Sequence, residues 1–351
     1  MSKFAFPVLF LGIIGVLWFG FKSYTDPILA QHAMAKLEAI NVNGDRQWIL
    51  ARGCDRRKPV LLFLHGGPGM PAMFTAHAFQ RPLEKDFVVV HWDQRGAGKS
   101  FHGDLDPQTM TMTQMLADAQ TVVEHLREKF GVQKVYLVGH SHGSFFGALL
   151  AQARPDLFYA FVGVGQIGDP AREHIIQDEI IRERLSARGA PLPVITPENR
   201  ETLLFEIGGE LANAQSMWPL LRIGFTAPEY SFTDAMNVAK GPQFARAHLR
   251  YDGVGSYGPP PAEFAIPLYV VMGARDAVTP VSLARAWFDN VRAPSKDWTE
   301  INNAAHFPHL EQPQGFAAVM NRVRHETAPL ASTPDGWALS VPRFGLQCRR
   351  D

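Results

Sequence analysis

The chain has 351 residues, 46% of them hydrophobic and 19% charged, with 34 basic residues against 34 acidic ones. That length and apolar share suit one large globular domain, or a domain with an insertion. The balanced charge and the lack of a basic stripe exclude the electrostatic footprint of a nucleic-acid-binding protein. Two cysteines, Cys54 and Cys348, are too few for a disulfide framework and form no zinc pattern. The simplest reading is two unremarkable thiols, although one disulfide between them is conceivable.

Phe4 to Phe21 is an unbroken run of 18 uncharged residues bracketed by Lys3 and Lys22. As a helix it would span about 27 Å, close to the hydrocarbon thickness of a bilayer. Trp18, Phe19 and Phe21 sit at one end, where aromatic rings favour the interface. Residues 1–25 therefore read as an N-terminal transmembrane anchor, with a cleaved signal segment as the alternative. The positive leading flank favours placing the rest of the chain on the non-cytoplasmic side, periplasmic or extracellular.

Alternating residues around Asn43-Gly44 predict a β-hairpin over 37–51. Short apolar runs at 59–64, 87–92, 134–138, 160–164 and 267–272 predict strands buried on both faces, with another near 298–301. Thr113 to Phe130 keeps a helical spacing of apolar residues and stops at Gly131. Further helices are expected from Ser144 to before Pro155 and over 314–325. Strands alternating with helices imply a mostly parallel sheet with helices on both faces. Between 168 and 264 the alternation stops, and a stretch that long reads as an inserted helical cap. The expected organisation is thus 33–167 and 265–326 as the two parts of an α/β core, 168–264 as the cap, and 327–351 as an aperiodic tail.

Gly139-His140-Ser141-His142-Gly143 is a G-x-S-x-G lying between a buried strand and a helix, the context of a nucleophile elbow. A serine hydroxyl needs a base to take its proton and an acid to orient that base. Asp276 follows the strand at 267–272 and His306 follows the last strand. In α/β sheets, ligands bind at such strand carboxyl ends. Asp276 and His306 are the candidate acid and base, with His309 as the fallback base. Oxyanion donors are expected from the backbone N–H of His142 and from the glycine-rich turn His65–Gly69, with Gly67 first and Gly66 second.

HGGPG at 65–69, DQRGAGKS at 93–100, GHSHGS at 139–144 and the Asp276 and His306 segments, in this order, resemble the proline iminopeptidase branch of the α/β-hydrolases. The resemblance spans about 35–325 and implies an α/β-hydrolase fold. It also implies a Ser141, Asp276, His306 triad with Gly67 lining the oxyanion hole, and removal of an N-terminal residue from short peptides without metal or cofactor. His142 stands where that family usually has Trp. The family reads the substrate amine with acidic cap residues. Here Glu173, Asp178, Glu179 and Glu183 are the candidates, although charged residues on a helix are usually a solvated face. A carboxylesterase or other small-molecule hydrolase is the alternative, and a non-catalytic ligand-binding protein of the same fold is a third reading. Epoxide-hydrolase chemistry is disfavoured because position 141 is Ser rather than a carboxylate.

Overall fold

The computed structural model describes residues 23–254 and 257–327. The apolar run at 4–21 and the tail after Thr327 lie outside them, so the expected anchor does too. Among the described residues, no helix is long and apolar enough to cross a membrane.

The Asn43-Gly44 turn takes positive φ at both residues, 52° and 83°, as a two-residue hairpin requires. It joins β1 (Met34–Val42) to β2 (Asp45–Gly53). The apolar runs become β3 (Val60–Leu64), β4 (Val88–Asp93), β5 (Val135–His140), β6 (Phe158–Val164), β7 (Leu268–Gly273) and β8 (Lys296–Ile301). They form one eight-stranded sheet in the order β1-β2-β4-β3-β5-β6-β7-β8. β2 is antiparallel to both β1 and β4, and the pairings from β4 through β8 are parallel. The parallel strands therefore present all their carboxyl ends at one edge.

The sheet has two apolar faces, and β3 shows why its sequence is a continuous apolar run. Val60, Leu62 and Leu64 enter one core, while Leu61 and Phe63 enter the other. The first face is covered by α2 (Met112–Phe130), α3 (His142–Ala153) and α8 (Val281–Asn290). The second is covered by α1 (Met73–Phe79) and, after a single turn, α9 (Pro308–Glu311), by α10 (Pro313–Thr327). α2 begins where the Thr111 side chain accepts the Gln114 N–H, and it ends at Gly131 in the left-handed region at φ 64°. α1 and α8 are additions to the sequence expectation. Between β6 and β7 lie α4 (Pro170–Ala187), α5 (Pro197–Glu206), α6 (Trp218–Phe225) and α7 (Phe232–His248), in the stretch expected to be a helical cap. These helices have a small core of their own, Ile181, Leu185, Leu203, Leu204 and Ile207, closed by Ala277 of the strand-end loop.

Two contacts explain motif residues as structural. Arg95, in the DQRG turn, is buried and pairs with buried Asp118 on α2 at 2.7 Å. Asp118 also accepts from Asn43, Gln47 and Gln114, so the hairpin, the turn and α2 meet on one carboxylate. Gly69 and Gly96 lie under α7. A Cβ on Gly69 would sit 2.6 Å from the Gly241 carbonyl oxygen, and one on Gly241 would sit 2.7 Å from that of Gly69. Only glycine lets this helix seat directly on both loops.

Cys54 is disulfide-bonded, which corrects the reading of two unremarkable thiols. Cys348 lies outside the described residues.

Removing one member of a buried ion pair strands the other charge, at a cost of about 3–5 kcal/mol. Asp118→Ala is therefore expected to lower unfolding free energy by about that amount in urea denaturation. A loss below about 1 kcal/mol would place this carboxylate outside the stabilising network.

Candidate active site

Ser141 is the first residue after β5 and the N-cap of α3, at φ 55° and ψ −125°. Positive φ at a non-glycine residue is strained and persists only where surroundings enforce it. Here they do. The Ser141 N–H donates to the Val164 carbonyl at 2.9 Å. A Cβ on Gly139 would lie 2.1 Å from the Gly143 carbonyl oxygen, and one on Gly143 would lie 2.5 Å from the Leu64 oxygen and 2.6 Å from that of His65. The two motif glycines thus permit an approach between β3, β5 and α3 that no other residue could make.

Asp276 and His306 meet at the same sheet edge, beyond β7 and β8. His306 Nδ1 donates to Asp276 Oδ2 at 3.0 Å. Thr279 Oγ1 donates to the same oxygen at 2.8 Å, and the backbone N–H groups of Val278 and Thr279 donate to Oδ1. Four donors thus converge on the Asp276 carboxylate, which faces the imidazole. Burial works to lower the His306 pKa, but the adjacent Asp276 carboxylate, with Glu210 and Glu173 beyond it, more than offsets this and raises it. Nδ1 is therefore the protonated nitrogen, which leaves Nε2 as the free base. Val164, which anchors Ser141, is followed by Gly165, where a Cβ would lie 3.1 Å from His306 Nδ1. His140 ties the two loops together, since its Nε2 bonds the His306 carbonyl at 2.7 Å.

His309, the fallback base, is packed as a ring. It lies 4.7 Å from both Phe79 and His140, and burial pushes its pKa down to about 3. Its Nδ1 is buried without a hydrogen-bond partner, so no carboxylate orients the ring through that atom as Asp276 orients His306.

In the turn after β3, the Gly66 Cα abuts Ser141, where a Cβ would sit 2.8 Å from Ser141 Cβ. The Gly66 carbonyl is engaged by the Met70 N–H at 3.1 Å and by His65 Nδ1 at 2.9 Å. Because a peptide unit is planar with C=O and N–H opposed, the Gly67 N–H points away from those two groups. His142 begins α3, and its ring is buried, with Nε2 3.0 Å from Tyr251 Oη. Burial holds its pKa down to about 3, so the ring is neutral. Phe145, Tyr251 and Tyr257 complete an aromatic wall around it, Tyr251 and Tyr257 stacked at 4.8 Å.

The cap candidates separate by helix phase. On α4, Gln177, Ile181 and Leu185 are buried, and Glu173 continues their stripe by one turn. Its Oε1 is buried without a hydrogen-bond partner. Burial pushes the carboxyl up to about 7, opposed by His306, whose charge Glu173 therefore feels. Glu179 and Glu183 lie off the stripe and are exposed, and Asp178 is paired with Arg200 at 2.8 Å. Glu179 and Glu183 are the solvated face, and Asp178 is taken up by its ion pair. The structure adds Glu210, which no periodic pattern marked. It lies between α5 and α6, its carbonyl accepts the His306 N–H at 3.0 Å, and burial pushes its carboxyl up to about 7 against the influence of His306. Among the described residues, no cluster of His, Cys, Asp and Glu could hold a metal ion.

Residues 61–319 match a family described as the alpha/beta hydrolase family. The "Probable aminopeptidase YbaC" of Bacillus subtilis (strain 168) is 30% identical over 315 residues, covering 84% of this chain and 98% of its own. A "Probable proline iminopeptidase" of Leptolyngbya boryana is 25% identical over 323 residues, covering 82% of this chain and 88% of its own. Among solved structures, a proline iminopeptidase-related protein from Thermus thermophilus superposes with a TM-score of 0.58 at 20% identity, covering 84% of this chain and 99% of that one. That last likeness is one of fold.

A methyl group at Gly143 would meet two backbone oxygens that cannot move independently of the sheet. Gly143→Ala is expected to cost at least about 2 kcal/mol, read as a lowered urea midpoint. An unchanged midpoint would show that the elbow does not depend on this approach.

Proposed function

The chain belongs to the α/β-hydrolase family, in its proline iminopeptidase-like branch, and from that premise we propose a serine aminopeptidase that releases an N-terminal residue from short peptides through an acyl-enzyme. The observation that carries the proposal is the Asp276–His306 pair at 3.0 Å, on the same edge as a strained Ser141. In this reading His306 Nε2 takes the Ser141 Oγ proton as the oxygen attacks the scissile carbonyl. The new oxyanion takes hydrogen bonds from the N–H groups of His142 and Gly67. His306 then protonates the leaving amine, and a water molecule, deprotonated by the same nitrogen, releases the acid. Asp276 stabilises the imidazolium throughout and keeps its charge.

Glu173 and Glu210 supply what distinguishes an aminopeptidase from an esterase. Both carboxyls lie within electrostatic reach of His306, and one Glu173 oxygen is buried and unpartnered. A substrate ammonium would satisfy that oxygen and neutralise a charge that burial otherwise penalises. Aromatic residues Tyr251 and Tyr257 suit a compact apolar side chain beside it.

The reading also keeps residues 4–21 as a membrane anchor with the catalytic domain outside the cytoplasm. A disulfide at Cys54 supports an oxidising compartment. The N–H groups of Ser23 and Tyr24 both donate to the Pro228 carbonyl, and Thr25 donates to buried Glu229. A soluble form is therefore best cut before Ser23 rather than after Thr25.

The test compares a free-amine prolyl amide, its N-acylated twin and a short-chain p-nitrophenyl ester, with Ser141→Ala as blank. Cleavage of the free-amine amide alone is expected, with turnover falling on the order of 10⁶-fold in Ser141→Ala and in His306→Ala but not in His309→Ala. Glu173→Gln and Glu210→Gln should each raise KM for the free amine by about 10- to 100-fold, as loss of a charged hydrogen bond does. Ester cleavage alone would replace the peptidase reading with an esterase.

The pH dependence has a defined sign. Both carboxyls are raised to about 7, so they are neutral below that pH and anionic above it. An α-amine loses its proton near pH 8, by its usual pKa of about 7.7–8.0. KM for the free-amine amide is expected to rise as pH falls through 7, while KM for an ester stays level. A flat KM for both would remove these carboxylates from amine recognition.

A further inference from the structure

The loops that carry Asp276 and His306 are not held by the sheet alone. Residues 208–212, a strap between α5 and α6 of the inserted region, bind both. The Ala277 N–H, next to the acid, donates to the Gly209 carbonyl at 3.1 Å. The His306 N–H itself donates to the Glu210 carbonyl at 3.0 Å. Arg275 Nη1, on the other side of the acid, reaches the Ala212 carbonyl at 3.3 Å. Glu311, the last residue of α9, closes the circuit. Its Oε1 accepts the Ala212 N–H and its Oε2 accepts the Ala305 N–H, both at 2.7 Å. One carboxylate thus joins the strap to the residue preceding the base.

We propose that Glu311 is a positioning residue, which together with the 208–212 strap clamps the acid and base loops in register for proton transfer. The proposal rests on the triad reading above and assigns the inserted region a part in the chemistry besides substrate selection. Three features support a clamp rather than incidental contact. Two backbone N–H groups need two acceptors in fixed directions, and only a carboxylate of this length offers both. The strap fits without slack, since a Cβ on Gly209 would lie 2.6 Å from Ala277 Cβ. The opposite side of the acid loop is pinned as well, because Arg184 of α4 donates from both terminal nitrogens to the Arg275 carbonyl, at 3.1 and 3.2 Å. A shift of a fraction of an ångström between Asp276 and His306 would weaken the bond that sets the tautomer of the base.

Glu311→Gln keeps the shape but offers one acceptor and a donor, so one backbone N–H faces an NH₂ group. Gly209→Ala pries the strap from the acid loop without altering any charge. The experiment uses the full-length protein and follows modification of Ser141 by ethyl fluorophosphonate, a probe too small to need cap recognition. The labelling amplitude counts folded sites, and the rate reads activation of the serine. Both variants are expected to label fully but about tenfold more slowly, a loss typical of slightly misplaced catalytic groups. For peptide turnover by Glu311→Gln, kcat should fall in proportion while KM stays within about twofold. The acidic limb of the labelling rate against pH should move to lower pH in both, because a loosened His306 loses part of the support of Asp276 that raises its pKa. The double variant should be no slower than about the worse single, since both open the same clamp.

Unchanged labelling rates with a raised KM would confine the strap to substrate binding and overturn the proposal. So would slower labelling with an unmoved acidic limb, or losses in the double variant that multiply. Failure of the wild-type protein to label at Ser141 would sink the nucleophile assignment itself, and the clamp with it.

Discussion

The arrangement depends on one tight place, where the backbone turns from β5 into α3 at Ser141 with φ 55°. A side chain there costs energy unless the neighbours leave no alternative. Leu64 and His65 press their carbonyls on Gly143, Gly139 faces Gly143, and Val164 holds the Ser141 N–H. These neighbours belong to β3, β5 and β6, the middle of the sheet, so the strain is underwritten by a core that cannot relax locally. The same rigidity fixes the starts of the loops that carry His65–Gly69, Asp276 and His306.

On that edge, charge is arranged by burial more than by pairing. Asp276 has four donors and stays ready to support the imidazole, whereas Glu173 and Glu210 are enclosed with few partners and poised near neutrality. Two kinds of carboxylate beside one histidine allow two functions, one directed at the base and the other at the substrate. His140 and His309 are kept neutral by burial, so they can sit close to His306 without competing for a proton.

Much of this was legible in the sequence because the physics is local. Strands buried on both faces read as apolar runs, Ser141 and Asp276 are each the first suitable group after one of them, and His306 follows the partly exposed edge strand β8. Other features depend on contacts between distant segments. Glu210 lies in an irregular strap with no period, and its importance comes from a carbonyl bond to His306. Arg95 looks like part of a catalytic motif, but its partner is Asp118, on a helix whose buried acid no pattern could flag. α8 and the choice among the cap acids were readable in principle. Leu283, Ala284, Trp287 and Phe288 keep helical spacing after Pro280, and Glu173 alone extends the stripe of Gln177, Ile181 and Leu185.

The central claim is that Ser141 attacks a substrate whose free amine is recognised beside it. Its most direct test is mass-spectrometric mapping of the adduct left by a free-amine prolyl diphenylphosphonate, timed against the N-acetylated twin. The account predicts a single adduct on Ser141 that forms much faster with the free amine. An adduct on another residue, or equal rates for the two reagents, would contradict it.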